Sequence, residues 1–307
     1  MTVRKKKKHS GPKSALLSHH KPSPKLITLS AKASRTLIRS HHQLRKRHAQ
    51  ATADGDTVAA DALLAQIEAQ GGLRLYQLAS IKGQSNERGG DSSKVLMEWL
   101  QEVLTPSDGI KPGRQPLERP LLRMLEVGAL SATNACSCSR LFDVTRIDLN
   151  SQDDQRILQQ DFMQRTLPCS DDERFDVISL SLVLNFLPDN ASRGDMLRRT
   201  LPFLRLPPES LRTTRSYAEN FPSLFLVLPA PCITNSRYLD ENRLKAIMGS
   251  LGYSMIRRKI SSKLVYYLWI HNGPRKQPSL KHSYKKVEVN PGKKRNNFTI
   301  TLEEDRT

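Results

Sequence analysis

The spacing of apolar residues along the chain changes near residue 121. Before that point apolar residues recur every three or four positions, as in amphipathic helices, whereas later they form short continuous runs. The early spacing predicts helices over 33–51, 57–69, 73–81 and, with Ser92 or Ser93 as its cap, up to Leu104. The chain therefore begins with a helical region and continues into a region that contains strands.

The later region alternates buried strands with helices. Strands are predicted over 121–127, 144–148, 175–182 and 224–228, and helices over 192–204 and 239–251. Two final apolar runs, 253–260 and 264–270, are separated by three residues, which is a hairpin length. This alternation predicts an α/β fold with a mostly parallel sheet and one antiparallel strand.

Charge is concentrated at the two ends of the chain. The 307 residues include 49 Lys+Arg and 30 Asp+Glu, and residues 1–50 hold 14 of the basic residues and no acid. Residues 273–307 hold 9 basic and 4 acidic residues, so the body between the two ends is neutral. Basic segments of this kind bind polyphosphates or direct nuclear import, although a purely solubilising role is the alternative. Residues 1–34 are also poor in apolar side chains, which predicts a disordered basic arm.

Several classes of protein are excluded by what the sequence lacks. No run approaches the roughly 18 apolar residues that a membrane span needs, and no apolar segment follows the basic start as in a secretory signal. We therefore expect a soluble protein with no membrane partner. The cysteines form no C-x-x-C pair, which argues against a zinc ribbon or a disulfide scaffold and for a reducing compartment without a metal site. They are Cys136, Cys138, Cys169 and Cys232.

Polar residues at the ends of three successive strands suggest a ligand site. Gly128 directly follows the first strand and would let the backbone approach a ligand, while Glu126 could meet an ammonium group or a backbone amide. Asp148 ends the second strand about twenty residues later, the spacing that brings a carboxylate to ribose hydroxyls. Asp161 follows the third apolar run and suits an adenine amino group. Each residue alone is also typical of a turn or a helix cap, but the ordered set indicates adenosine.

The sequence also limits which adenosine cofactor is bound. It contains neither G-x-G-x-x-G, the pyrophosphate cradle of dehydrogenases, nor G-x-x-x-x-G-K-[ST], the phosphate loop of ATPases. The ligand therefore contains adenosine without a polyphosphate. S-adenosyl-L-methionine (SAM) fits this description.

Six sequence runs resemble the fungal 25S ribosomal RNA adenine-N1 methyltransferase family. They are MLEVGAL at 124–130, RIDLN at 146–150, QDF at 160–162, FDVISLSLVLNFLPD at 175–189, RGDML at 193–197 and LVLPAPCITNSRY at 226–238. The resemblance runs from about residue 76 to the late hairpin. It implies a class I SAM-dependent methyltransferase fold, cofactor contacts at Gly128 and Asp148, and action on large-subunit ribosomal RNA in the nucleolus. Animal relatives of the family act as SAM sensors in nutrient signalling, so the resemblance alone does not imply catalysis.

On this basis the chain divides into four regions. We predict a disordered basic arm over 1–34, a helical extension over 35–110, a methyltransferase domain over 111–272 and a basic C-terminal tail over 273–307. The expected partner is large-subunit ribosomal RNA or a pre-ribosomal particle, the expected location is the nucleus and nucleolus, and the expected state is a monomer.

The fourth strand end suggests which residues position the base. Adenine N1 carries an in-plane lone pair and needs no enzyme nucleophile once the base is flipped out, so the protein must mainly align the reactants. The run Ser179–Phe186 lacks the Asn/Asp-Pro-Pro-aromatic box of amino-directed methyltransferases, which argues against N6 as the target. Asn185 and Phe186 are candidates to contact and stack the base. A capping Asn and a core Phe are the alternative roles.

Other reactions are weighed against this one. Cys232 follows Pro231, as does the nucleophile of cytosine-C5 methyltransferases, but Pro168-Cys169 precedes the fourth strand where those enzymes place the second Pro-Cys after it. We therefore predict adenine-N1 methylation. A catalytically silent SAM-binding module that regulates a protein partner is the first alternative, and an assembly factor that uses only its basic arm is the second.

Overall fold

The computed structural model describes residues 30–83, 90–104, 121–151, 153, 155–205, 215–273 and 283–303. The arm predicted over 1–34 lies outside the described residues up to position 29. Helix α1 (Ala31–Ala53) begins within that predicted arm, because the side chain of Ser30 accepts a hydrogen bond from Ala33 N and caps the helix.

Three helices pack together at the start of the described chain. α1 is followed by α2 (Thr57–Ala69) and α3 (Gly72–Gly83), and the Asp56 side chain caps α2 by accepting a hydrogen bond from Ala59 N. Leu44 of α1 and Leu63 and Ile67 of α2 are buried against each other. These three predicted helices are confirmed, and each of their ends lies within two residues of the predicted position.

Seven strands form one sheet, and six of them correspond to the predicted apolar runs. They are β1 (Leu122–Val127), β2 (Phe142–Asp148), β3 (Leu158–Gln159), β4 (Val177–Ser181), β5 (Ser223–Pro229), β6 (Tyr253–Ile260) and β7 (Leu264–His271). Their order is β3-β2-β1-β4-β5-β7-β6, and β7 is the one strand of this sheet that runs opposite to the other six. This is the strand order of class I SAM-dependent methyltransferases, so the predicted fold class is confirmed. β3 was not predicted as a strand, since it has only two residues and both are exposed.

Helices cover both faces of the sheet. The other described helices are α4 (Ser93–Leu104), α5 (Asn190–Phe203), α6 (Arg215–Ala218), α7 (Pro231–Thr234) and α8 (Glu241–Ser250). Buried side chains of α5 and α8 pack on one face around Ile178, whereas Leu96 and Leu100 of α4 pack on the other face. α4 is therefore part of the α/β body, not of a separate extension over 35–110. Its cap also differs from the prediction, because Asp91 Oδ1 accepts the hydrogen bond from Ser93 N at 2.9 Å.

The C-terminal segment 283–303 is integrated into the domain. Ile300 and Leu302 are 0% and 3% exposed and belong to the core on the α5 face. Tyr284 pairs with Leu302, and Asn296 pairs with Ser236 in the loop after α7. A free basic tail from residue 273 was expected from charge alone, and for 283–303 this is corrected, because its few apolar residues are buried.

The described part of the chain lacks a membrane-spanning helix and a cluster of metal ligands. No helix there is long and apolar enough to cross a membrane. No three His, Cys, Asp or Glu side chains there lie close enough to hold a metal ion.

Candidate active site

A cavity of about 420 Å³ opens where the parallel strands end. Five of the six residues predicted for the site line it, namely Gly128, Asp148, Asp161, Asn185 and Phe186. Its volume is typical of a small-molecule site, and its position beyond the carboxyl ends of the strands is the one expected for ligands of parallel sheets.

Gly128 is required by backbone conformation and by packing. It directly follows β1 with a φ of 75°, a region that L side chains rarely adopt. An ideal Cβ at this position would lie 2.6 Å from Val183 Cγ2, and Val183 also lines the cavity. The backbone N–H of Gly128 donates to the carbonyl of Ile147 at 2.8 Å. The glycine therefore lets the turn after β1 pack closely against the turn after β4.

The two strand-end carboxylates are held by backbone amides of their own loops. Asp148 Oδ1 accepts a hydrogen bond from Asn150 N at 2.8 Å, and Asp161 Oδ1 accepts one from Met163 N at 2.8 Å. The second bond caps the short 3-10 helix Phe162–Gln164. These bonds hold both acids at the cavity wall, and their binding of a cofactor there stays a prediction.

Glu126 does not line the cavity, which corrects its predicted place in the site. Successive residues of a strand face opposite sides of the sheet, so Glu126 points away from the side occupied by Val127. Its Oε1 accepts a hydrogen bond from Asn134 Nδ2 at 2.7 Å, and its buried Oε2 has no hydrogen-bond partner among the described residues. Burial raises the pKa of this carboxyl to about 7, against the lowering effects of Asn134 and Arg146. Glu126 thus stabilises the loop after Gly128 through its hydrogen bond with Asn134, on the side of the sheet away from Val127.

Asn185 presents a buried acceptor at the cavity wall. It lies in the 3-10 turn Leu184–Phe186, which follows β4 through Leu182, a non-glycine residue with a φ of 60°. Asn185 Oδ1 is buried without a hydrogen-bond partner in the part of the chain that the structure describes. A buried acceptor left unpaired costs about 1–3 kcal/mol, so this site favours a ligand that donates a hydrogen bond. The unusual backbone at Leu182 is typical of functional sites.

Phe186 is packed against α1. Its ring lies parallel to that of His41 with 6.0 Å between centroids and edge-on to that of His42 at 5.6 Å. The guanidinium carbon of Arg45 lies 5.8 Å from the ring centroid. Burial, and then the charges of neighbouring cations, lower the pKa of His42 to about 4, so this histidine is neutral near pH 7. The surface predicted to stack a base is therefore in contact with α1 in this structure.

Residues from the helical region complete the cavity, and the sequence analysis missed them. Ile38, His42 and Arg45 of α1 contribute to the wall, together with Leu73 and Ser92. These residues lie at least thirty positions before β1 in sequence. The sequence carried only a weak indication that α1 lines the cavity, namely apolar and histidine residues on one side of a basic helix.

Asp91 and Ser92 connect α4 to the edge of the sheet. Asp91 Oδ2 accepts a hydrogen bond from Ala135 N at 2.6 Å, in the loop that follows Gly128. The hydroxyls of Ser92 and Ser181, the last residue of β4, lie 2.8 Å apart. These contacts hold the start of α4 across the ends of β1 and β4.

Comparison with known proteins identifies the family. Residues 61–300 match the family described as 25S rRNA (adenine(2142)-N(1))-methyltransferase, Bmt2. The chain belongs to this family. The matched range contains every described wall residue of the cavity except those on α1.

Two curated members of the family are similar over most of this chain. The 25S rRNA (adenine(2142)-N(1))-methyltransferase of Saccharomyces cerevisiae is 38% identical over 241 residues, which are 78% of this chain and 63% of that protein. The 25S rRNA adenine-N(1) methyltransferase of Schizosaccharomyces pombe is 38% identical over 264 residues, 86% of this chain and 89% of that protein. The chain thus spans less than two thirds of the first relative.

A solved structure of a methyltransferase is similar to part of this chain at a low score. The Burkholderia thailandensis 1,6-didemethyltoxoflavin-N1-methyltransferase, with 1,6-didemethyltoxoflavin and S-adenosylhomocysteine bound, has a TM-score of 0.36 and 12% identity. The similarity covers 48% of this chain and 70% of that one. This TM-score is too low to support an inference about the site of this family member.

The residues of the cavity fit SAM. Asp148 and Asp161 place two acceptors at adjacent strand ends, as the ribose and adenine of the cofactor require. Leu149, Phe162 and Met163 supply apolar wall beside them. Carboxylate acceptors combined with apolar contacts are suited to a nucleoside.

Cys232 lacks the character of a nucleophile. Its thiol is largely buried, and burial raises its pKa to about 12 despite the opposing effect of Arg193. Only a thiolate attacks carbon efficiently, so this thiol is inert near neutral pH. This environment agrees with the sequence argument against cytosine-C5 chemistry in this family member.

Proposed function

We propose that this protein transfers the methyl group of SAM to N1 of an adenine in large-subunit ribosomal RNA. The observation that carries the proposal is the 38% identity to two proteins named for this reaction, over 241 and 264 residues. The match to the family, over residues 61–300, includes the residues that follow β1, β2, β3 and β4. The cavity at those strand ends supports it, because its volume and donor–acceptor set fit a nucleoside cofactor.

SAM supplies an electrophilic methyl group on a sulfonium sulfur. The in-plane lone pair of adenine N1 attacks that methyl carbon, so that the N1–C bond forms while the S–C bond breaks and S-adenosylhomocysteine leaves. Neutral adenine has no proton on N1, so the chain needs no general base for this step. Its contribution is to exclude water and align the reactants, which is worth several orders of magnitude in rate.

Individual residues have defined tasks in this mechanism. Asp148 and Asp161 hold the ribose and adenine of the cofactor through charged acceptors. Asn185 Oδ1 accepts a hydrogen bond from the amino group of the target adenine, which satisfies the buried oxygen. This contact favours adenine over guanine, whose O6 would face the same oxygen as a second acceptor.

The partner and location follow from the charge of the chain. Residues 1–50 carry 14 basic residues without an acid, which suits phosphate contacts and nuclear import. We infer that a monomer acts in the nucleus and nucleolus, on free ribosomal RNA or on a pre-ribosomal particle. Sedimentation of the purified protein and imaging of a fluorescent fusion test the two finer statements.

The activity is tested with large-subunit ribosomal RNA and SAM labelled in its methyl group. We expect label in RNA, released as 1-methyladenosine on nucleoside digestion and located by a reverse-transcription stop. Asp148→Ala should lower the signal more than tenfold at a SAM concentration well below the Kd of the natural chain. Labelled 6-methyladenosine or 5-methylcytosine in place of 1-methyladenosine would refute the proposed reaction.

One observation favours a second function, a catalytically silent SAM-binding module that acts on a protein partner. The ring of Phe186 already contacts His41, His42 and Arg45, so a base can stack there only if α1 shifts. A module of this kind would bind SAM with normal affinity and transfer no methyl group to ribosomal RNA or pre-ribosomal particles. Calorimetry together with the labelling assay separates the two functions.

A further inference from the structure

We propose that residues 285–295 form a folded basic surface, here called the ledge, that binds phosphates of the RNA strand beside the target adenine. The inference rests on the proposed function and adds a second RNA-binding surface to the basic arm. It places phosphate binding on the α/β body, whose residues before position 273 are neutral as a whole.

The ledge is held by hydrogen bonds to the loop after α7. Val289 N donates to the carbonyl of Arg237 at 2.9 Å, and Asn290 Nδ2 donates to the carbonyl of Ser236 at 3.2 Å. Just beyond the ledge, Asn296 Nδ2 donates to the carbonyl of Pro231 at 2.7 Å. A surface fixed in this way loses little conformational entropy when it binds a ligand, unlike a free tail.

The segment that follows the ledge packs tightly on α5. An ideal Cβ at Gly194 would lie 1.9 Å from the carbonyl oxygen of Thr301, so only glycine permits this approach. Ile300 and Leu302 on either side of that carbonyl are buried in the core. The ledge is therefore anchored to the domain on its C-terminal side as well.

Arg193 connects this segment to the wall of the cavity. Its Nη1 donates to the carbonyl of Thr299 at 2.9 Å and its Nη2 donates to the carbonyl of Leu187 at 2.6 Å. Leu187 lines the cavity, and the guanidinium of Arg193 lies 4.6 Å from the ring centroid of Phe298. The segment directly after the ledge thus contacts the cavity wall, from which we infer that the ledge lies near the rim of the proposed base site.

The charge of the ledge is strongly positive and uncompensated. Lys285, Lys286, Lys293 and Lys294 are exposed, and within the described residues no ion pair engages them. The only acid in the 285–295 sequence is Glu288, which lies 3.8 Å from Arg237. Lys286 Nζ lies 4.4 Å from the ring centroid of Tyr238, and among the described residues none of the four ammonium groups faces a carboxylate. Like charges held close together repel each other, and a polyanion removes that repulsion.

RNA fits this surface better than an acidic protein for two reasons. The ledge presents four lysine ammonium groups as point charges and a single exposed large hydrophobic side chain, Val287, which suits phosphates more than a protein interface. Its place near the rim of the proposed base site also means that an RNA strand delivering an adenine must pass close to it.

The test uses the full chain and a transcript of large-subunit ribosomal RNA, with affinity measured as a function of salt by fluorescence anisotropy. Two double variants, Lys285→Gln/Lys286→Gln and Lys293→Gln/Lys294→Gln, each remove two charges. The salt slope is the change in the logarithm of the association constant with the logarithm of the salt concentration. Each variant should reduce the magnitude of this slope by about 1.4–1.8 and weaken binding on the order of tenfold at 0.15 M salt. SAM affinity, measured by calorimetry, should stay unchanged.

A matched control removes two charges elsewhere. Arg140→Gln/Arg174→Gln alters exposed or half-exposed residues before β2 and β4, at the opposite edge of the sheet. Arg174 pairs with Asp171, which is 71% exposed, so losing that pair has little effect on stability. We expect the control to bind RNA with nearly the natural slope. A second comparison, Lys293→Arg/Lys294→Arg, keeps the charge and should keep the slope.

Three outcomes would contradict the proposal that the ledge binds RNA. In the first, the salt slope of RNA binding decreases no more in the Gln variants than in the control. In the second, it decreases as much in the Lys293→Arg/Lys294→Arg variant as in the Gln variants. The third is weaker binding to a poly-glutamate peptide with RNA binding unchanged, which would assign the surface to an acidic protein. RNA binding is measured without methyl transfer, so a failure of the proposed enzymatic function would appear in the labelling assay and leave this test intact.

Discussion

Replacing Gly128 with alanine isolates the physical reason for a glycine at the end of β1. The substitution adds one methyl group where the backbone has a φ of 75°, and that group would lie 2.6 Å from Val183 Cγ2. Two costs are therefore expected, one from backbone conformation and one from the contact.

The size of each cost can be worked from the structure. A non-glycine residue in the left-handed region costs about 1–2 kcal/mol, and forcing a methyl group into a packed site costs about 1–3 kcal/mol. Alanine also lowers the conformational entropy of the unfolded chain, which stabilises the folded state by about 0.4–1 kcal/mol. We therefore expect Gly128→Ala to lower the free energy of unfolding by about 2–4 kcal/mol.

Gly55 provides a matched control because its φ is also 75°, while an added Cβ would find nothing within 4 Å. Gly55→Ala should therefore show the backbone cost alone, about 1 kcal/mol after the unfolded-state gain. Urea unfolding followed by circular dichroism measures both variants. Adding Val183→Ala to Gly128→Ala should recover part of the contact cost, after correction for Val183→Ala alone.

Two results would refute this reasoning. If Gly128→Ala and Gly55→Ala are equally destabilising, the contact with Val183 has no energetic consequence. If the double variant shows no recovery beyond additivity, the methyl group is accommodated in some other way. In either case the glycine would serve only the approach of the cofactor, and its effect should then appear in SAM affinity.

Four further predictions test the site and the arm. Asp148→Ala should weaken SAM binding more than tenfold, because a charged hydrogen bond of about 1.5–3 kcal/mol is lost; unchanged affinity in calorimetry would remove Asp148 from the site. Asn185→Ala should lower kcat/KM for RNA about threefold to tenfold, measured in steady-state assays, and leave SAM affinity unchanged. Asn185→Asp keeps a hydrogen-bond acceptor and should lower kcat/KM less. An equal decrease in both variants would contradict the hydrogen bond from the base. The folded-state pKa of Glu126 is raised to about 7, so between about pH 4.5 and 7 the native state binds a proton that the unfolded state has lost, and the free energy of unfolding falls as pH rises through that window. Glu126→Gln should make this fall smaller, as measured by urea unfolding at pH 5 and at pH 8. An equal fall in the variant would mean that Glu126 does not have the raised pKa. Deletion of residues 1–29, which keeps the Ser30 cap of α1, should lower the salt slope of RNA binding and leave SAM affinity unchanged, and an identical slope would mean that the arm is no RNA anchor.

Local sequence pattern determined the strands, most helices and the order of the site residues. A buried strand needs only a short apolar run, and the late hairpin needs only two such runs with three residues between them. Because parallel strands end at one edge, Gly128, Asp148, Asp161 and Asn185 could be assigned to one site before any contact was known.

Features that depend on contacts between distant segments were decided only by the tertiary structure. The side of the sheet that Glu126 faces depends on strand pairing, and its partner Asn134 lies in a loop without a recognisable pattern. The α1 residues of the cavity and the burial of Ile300 and Leu302 depend on packing across more than a hundred positions of sequence. Charge composition suggested that the C-terminal region stays in solvent, but burying two apolar residues and pairing the backbone at Asn296 outweighs that tendency. Such packing energies depend on which surfaces meet in three dimensions, and neither periodicity nor composition along one segment contains that information.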